Sequence, residues 1–163
     1  MNGLNDQTII NIVNFVLDEL YEKEKYLFKN DLSERNMVFH FARYFSYVLS
    51  SYDFNGLSVD CEYNRNSLNT NGQKEIYINN IRRKIYPDLI LHERGSNLRN
   101  ILAIEFKKSN NKRIDYDIKK LCYLTDSKYE YRYMLGMLVI LGKSRDDVII
   151  KIFKNGWEVN YKV

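Results

Sequence analysis

Two segments of this chain are apolar enough to form buried strands, yet each carries charge in its interior: Tyr86-Pro87-Asp88-Leu89-Ile90 and Ile104-Glu105-Phe106-Lys107-Lys108. Side chains alternate across a strand, so Glu105 and Lys107 project to one face while Ile104 and Phe106 project to the other. Ile101 and Ala103 share the face of Glu105, so the acid emerges from an apolar row. Burying such groups unpaired costs several kcal/mol, a large part of the net stability of a small domain. Any fold this chain adopts must therefore bring partners to them: each other, water or a cation.

The rest of the sequence supplies elements around these strands. Ile9, Val13, Val16 and Leu20 recur at helical spacing. Ser33 is placed to cap a second helix, whose apolar stripe runs Val38, Phe41, Ala42, Phe45, Val48, Leu49 and Tyr52. Strand character is expected over residues 57–63, 85–91 and 100–107, with turn chemistry at Glu93-Arg94-Gly95-Ser96-Asn97 between the last two. Helical spacing returns over 114–125, and strands follow over 134–141 and 148–153, with a last piece around Trp157 and Val159. The polar stretch 64–74 reads as a surface loop. The expected fold class is mixed α/β, an α+β mixed sheet in one domain over 1–163, helical over 6–52 and built of sheet and helix over 57–163.

Composition excludes several classes. With 45% hydrophobic and 14% aromatic residues the chain is not disordered. Cys61 and Cys122 are too few for a disulfide framework or a zinc cluster. The longest apolar run, 134–141, is far short of a membrane span, and residues 1–7 have no secretory pattern, so a cytoplasmic location and no membrane partner are expected. A net charge of +4 permits a polyanionic partner without requiring one.

If the two charged strands pair through the turn at Gly95, Asp88 lies beside Glu105 and Lys107. Two adjacent carboxylates repel unless a proton or a metal sits between them. Hard oxygen ligands with retained waters suit Mg²⁺ or Mn²⁺, and a neighbouring lysine can orient or deprotonate a metal-bound water or stabilise developing phosphate charge. That chemistry suits phosphodiester hydrolysis. Glu34, one turn before Val38, faces inward at the head of the second helix; equally, an acid after Ser33 is favoured by the helix dipole alone, by about 0.3–1 kcal/mol. The competing readings of the strand residues are a backbone-satisfied Asp88 and a cross-strand Glu105–Lys107 ion pair. Arg82, Arg83 and Lys84 precede the motif and Lys108, Lys112, Arg113, Lys119 and Lys120 follow it, where they would give sequence-independent phosphate contacts or form a solvated rim. His40 and His92 have no metal-ligand spacing, and Tyr123 is a weak candidate for positioning substrate.

Pro87-Asp88, a gap of sixteen residues, then Glu105-Phe106-Lys107 resembles the PD-(D/E)XK nuclease superfamily, which has the restriction-endonuclease-like fold. The resemblance covers 33–141 and extends to element order: a helix, a three-stranded meander, a helix and a further strand. The acidic stretch 59–65 is similar to a segment of small stand-alone bacterial members. What the resemblance implies is a metal-dependent nuclease acting on nucleic acid, DNA above all, with Mg²⁺ or Mn²⁺ as cofactor. It implies that Asp88 and Glu105 ligate the metal, that the Phe106 carbonyl is a further ligand, and that Lys107 acts on the attacking water. Many members carry an acid on the helix before the sheet, which assigns Glu34 to the metal shell. The rival expectations are a catalytically inactive module of the same fold that binds nucleic acid or a protein partner, and a plain interaction scaffold. A chain of this size leaves room for a homodimer or a targeting partner.

Overall fold

Alternation along the central strands sets the architecture, because it gives the sheet two apolar faces that both need covering. In the computed structural model, which describes residues 4–52, 54–66, 72–110 and 114–161, helices α1 (Asp6–Lys23), α2 (Lys25–Lys29) and α3 (Glu34–Leu49) come first. The strands are β1 (Ser58–Cys61), β2 (Glu75–Ile78), β3 (Ile81–Lys84), β4 (Leu89–His92), β5 (Asn100–Lys108), β6 (Leu135–Leu141), β7 (Ile149–Lys154) and β8 (Trp157–Val159), with helix α4 (Asp115–Thr125) between β5 and β6. Six strands form one sheet in the order β1-β4-β5-β6-β7-β8, with β5 and β6 parallel and the other neighbours antiparallel. The fold is mixed α/β, as the pattern of elements predicts.

Leu89, Leu91, Leu102, Ile104, Phe106, Met137 and Val139 form one core with the apolar stripes of α1 and α3. Ile90, Ala103 and Leu138 point the other way, into a second core with Leu121 and Leu124 of α4. The helices start where local chemistry lets them. The Asn5 side chain accepts the Thr8 N–H at 2.9 Å, and the Ser33 hydroxyl accepts the Asn36 N–H at 3.4 Å, each satisfying an otherwise orphaned donor of the first turn. Phe41, fully buried in α3, meets the Phe106 ring edge-on at 5.0 Å between centroids. That contact fixes α3 over β5.

Several expectations need correction. Residues 85–88 are not strand: Pro87 has no N–H to give a ladder, and β4 begins only at Leu89. The stretch ending at Lys74 is not wholly surface loop, since Lys74 is 1% exposed and its ammonium lies over the rings of Tyr131, Tyr63 and Tyr133 at 5.1, 5.7 and 5.8 Å. Burial pushes that ammonium down to about 8. The β2–β3 hairpin was not expected at all. Asn79 and Asn80 turn it, both with positive φ, in the tight geometry that Asn favours. His92, to which the sequence assigns no role, is buried 2.9 Å from Asp60 Oδ2, which also accepts from Arg94. Among the described residues, no helix is long and apolar enough to cross a membrane.

Because Phe41 carries the α3–β5 contact, Phe41→Ala is expected to lose about 3–5 kcal/mol, the usual range for deleting a large buried aromatic. A urea titration checks this; an unchanged midpoint would mean that α3 is held by something else.

Candidate active site

The register explains how the charged groups meet. Leu89 pairs with Ile104 and Ile90 with Ala103, so Asp88, Ile90, Ala103, Glu105 and Lys107 belong to the same face of the sheet, the face covered by α4. Where the ladder would continue, Asp88 Oδ2 accepts the Phe106 N–H at 2.7 Å. A side chain has replaced a backbone partner, which ties Asp88 to β5 one residue from Glu105 and one from Lys107. Burial raises the Asp88 carboxyl above its ordinary value; the Phe106 N–H, Lys107 and Lys120 pull against that without reversing it.

Glu105 is the most enclosed acid of the group, 1% exposed. Its Oε2 accepts from Lys120 Nζ at 2.6 Å. Its Oε1 is buried and, among the described residues, has no hydrogen-bond partner. Burial drives its carboxyl well above the usual range; the Lys120 charge opposes this, while the nearby Asp88 charge adds to it. Lys107 Nζ donates to its neighbour's carbonyl, Phe106 O, at 2.9 Å, and lies 3.4 Å from Asp117 Oδ2 and 3.5 Å from Glu34 Oε1. Burial alone would lower the Lys107 ammonium, but Asp117, Asp88, Glu34 and Glu105 outweigh it and hold the group above its ordinary value. At neutral pH it is a cation and a hydrogen-bond donor.

One member of this cluster, Asp117, has no place among the residues singled out in the sequence, and another, Lys120, has a different role from the one expected. Asp117 and Lys120 stand three residues apart on α4, both buried, with Lys120 Nζ 3.4 Å from Asp117 Oδ1. They share a helical stripe with Leu121 and Leu124, and that spacing was the available signal. Lys120 was expected among the phosphate-contacting residues. The structure puts it in the interior against Glu105, because a carboxylate buried in a sheet requires a counter-charge there.

The other expected residues are distributed as follows. Glu34 is part-buried; its Oε2 accepts the Lys108 N–H at 3.1 Å, so both its oxygens are engaged with the end of β5. The Phe106 carbonyl, expected as a metal ligand, is given to the Lys107 ammonium. Lys108 turns away from the cluster to Asp31, 2.5 Å from its Oδ1. Arg82, Arg83 and Lys84 are exposed on the outer strand of the hairpin, with Arg82 paired to Glu75. Lys119 is exposed on α4, and Tyr123 stacks on Tyr129 at 3.6 Å. Lys112 and Arg113 lie outside the described residues.

Among the described residues, no three His, Cys, Asp or Glu side chains form a ready-made set of metal ligands. The donor set at the cluster is thus a pair, Asp88 and Glu105. A buried carboxylate oxygen without a partner, beside a second carboxylate, fits a hard cation that keeps most of its own water.

No family profile and no curated protein matches this chain. Among solved structures it is similar to the crystal structure of SSO0001, at 16% identity and a TM-score of 0.36 over 88% of this chain, and it spans 65% of that protein's length. A likeness that weak carries no argument, and the cluster is read on its own geometry.

Truncating one partner of a buried ion pair leaves the other charge stranded, at about 3–5 kcal/mol. Lys120→Met is therefore expected to lose about that much stability at neutral pH. Glu105 then has its folded pKa raised further above its unfolded value, so the loss should shrink as pH falls through the folded pKa toward the unfolded one. Lys120→Met combined with Glu105→Gln should recover most of the loss in denaturant titrations. A double variant no more stable than Lys120→Met would remove the pair from the account.

Proposed function

We propose that this chain is a metal-dependent nuclease with the restriction-endonuclease-like core, hydrolysing phosphodiester bonds of nucleic acid, with DNA the expected substrate. One observation carries the reading: Glu105 Oε1 is buried and without a partner, beside Asp88 and Lys107 on one sheet face. A fold that leaves a carboxylate oxygen unsatisfied gives up stability there, and such sites concentrate where a ligand completes them. The order of α3, the antiparallel β1-β4-β5 unit, α4 and β6 supports the same core.

Asp88 and Glu105 would hold Mg²⁺ or Mn²⁺, which supplies Lewis-acid polarisation of the phosphodiester and a low-pKa water. Water attacks phosphorus and gives up a proton to solvent, and the phosphorus–oxygen bond to the leaving nucleotide breaks. The leaving oxygen takes up a proton from solvent, and negative charge builds on the non-bridging oxygens on the way. Lys107 meets that charge. Its Nζ, held among carboxylates beside the proposed ligands, is placed to donate to a phosphate oxygen and to orient the attacking water. Asp117 and the Phe106 carbonyl aim Nζ, while Glu34 ties the end of β5 to α3. Lys120, reaching from α4 over the same sheet face, opposes the effect of burial on Glu105 and favours its carboxylate form. Arg82, Arg83, Lys84 and Lys119 would hold the polyanion by contacts that weaken steeply with salt.

A second reading has one observation in its favour. Lys120 already satisfies one oxygen of Glu105, so the cluster could be a closed structural network in a nuclease-fold module that binds nucleic acid or a protein partner without cutting. The test is incubation with single-stranded, duplex and branched DNA and with RNA in Mn²⁺. The expected outcome is cleavage of at least one substrate, lowered about 100-fold in Lys107→Ala, the usual loss for one charge-stabilising donor. Equal product from wild type and Lys107→Ala, or no product from any substrate, would contradict the nuclease reading.

A further inference from the structure

Beside Asp88 the surface holds a hollow of about 240 Å³ between the first turns of α3 and the end of β1. Val38, Cys61 and the ring of Phe39 wall it, and Asp88 and Glu34 form its border with the catalytic cluster. Phe39 is 61% exposed on α3, like Tyr47 at 77%, whereas Phe41 and Phe45 of the same helix are fully buried. Its ring presents a flat apolar face to whatever enters. Arg35 and Glu62 also line the hollow, with Arg35 Nε 3.4 Å from Glu62 Oε1 and both side chains largely exposed at the rim. Glu62 takes a left-handed backbone with φ of 49°, and its N–H donates to the Asp88 carbonyl at 3.4 Å. The backbone that positions the catalytic acid therefore also positions the rim.

We propose that this hollow binds the base of an unpaired guanine nucleotide next to the phosphate being cut. The inference rests on the nuclease reading and adds its substrate class. The shape and apolar wall suit a flat ring, since an aromatic face stacks on any base. The rim selects among bases. A carboxylate beside a guanidinium offers two acceptors and then a donor, which matches the N1–H, N2–H and O6 of guanine on its Watson–Crick edge. Adenine and cytosine each set a ring acceptor against the carboxylate, and thymine offers one N–H between two carbonyls. Proteins that read extruded or single-stranded bases use this combination of edge hydrogen bonds and stacking. The acidic border disfavours a phosphate in the hollow and has no quarrel with a neutral base. Since the Watson–Crick edge is free only in an unpaired nucleotide, the substrate is single-stranded at that position.

Cys61 is exposed in the hollow and supplies a reporter. In a Cys122→Ser background, the rate of Cys61 modification by a thiol reagent is measured with deoxyguanosine, deoxyadenosine, deoxycytidine or thymidine, neutral ligands that need no cation. Deoxyguanosine should protect, with the others about tenfold weaker, the low end of discrimination by a bidentate pair. Glu62→Gln should remove the preference, and Phe39→Ala should remove protection by all four. Equal protection by the four nucleosides, or none, overturns the inference. A parallel arm follows cleavage in Mn²⁺ of single-stranded oligonucleotides with one guanine moved along the chain. Cleavage that follows the guanine in wild type but not in Glu62→Gln supports the inference. Asp88-dependent cleavage that ignores the guanine sinks it and leaves the nuclease reading standing. Selective protection by deoxyguanosine without Asp88-dependent cleavage keeps the hollow's selectivity and sinks the nuclease reading instead.

Discussion

A carboxylate in the middle of an apolar strand must be neutralised by something, and on β5 the neighbour that does most of this is Lys120. Glu105 is 1% exposed, so bulk solvent does little to offset its charge. The 2.6 Å contact with Lys120 answers for one oxygen. It also helps to place α4, since the buried Lys120 ammonium needs Glu105 across the sheet face as well as Asp117 on its own helix. Asp117, one turn earlier, then falls between Lys120 and Lys107 and links the two cations. The helix is therefore positioned by polar chemistry at one end of its face and by Leu121 and Leu124 at the other.

The opposite face of the sheet has no such constraint. There α1 and α3 cover β4, β5 and β6 with side chains that are almost all apolar, and Phe41 against Phe106 sets the angle. What α3 contributes to the cluster comes from its first turn, where Glu34 reaches over the end of β5 to the Lys108 N–H and the Lys107 ammonium. The two faces thus converge at one end of β5. Charge gathers at that end, where β5 passes from buried residues to the part-exposed Lys107 and Lys108.

Much of this was legible in the sequence, for a definite reason. A period of two assigns Glu105 and Lys107 to one face without any tertiary information, and the Gly95 turn brings Asp88 alongside through a short connection. Ser33 marked the start of α3 because capping is local. Asp117 and Lys120 were hidden because charged residues on a helix ordinarily face solvent, and only their alignment with Leu121 and Leu124 says otherwise. The hairpin at Asn79-Asn80 carried a usable turn signal, but its second strand, Ile81–Lys84, is entirely exposed and has no apolar alternation to announce it. Lys74 was unreadable for a third reason: its burial depends on Tyr63, Tyr131 and Tyr133, which come from distant parts of the chain.

The account turns on whether Asp88 and the unpartnered oxygen of Glu105 grip a divalent cation together. Electron paramagnetic resonance of Mn²⁺ added to the protein tests this without any substrate, because bound ion loses the sharp signal of the free aquo ion. The account predicts a saturable bound fraction in wild type that disappears in Asp88→Asn and in Glu105→Gln, each checked to be folded. A bound fraction unchanged by both substitutions, or free Mn²⁺ throughout in the wild type, would contradict it.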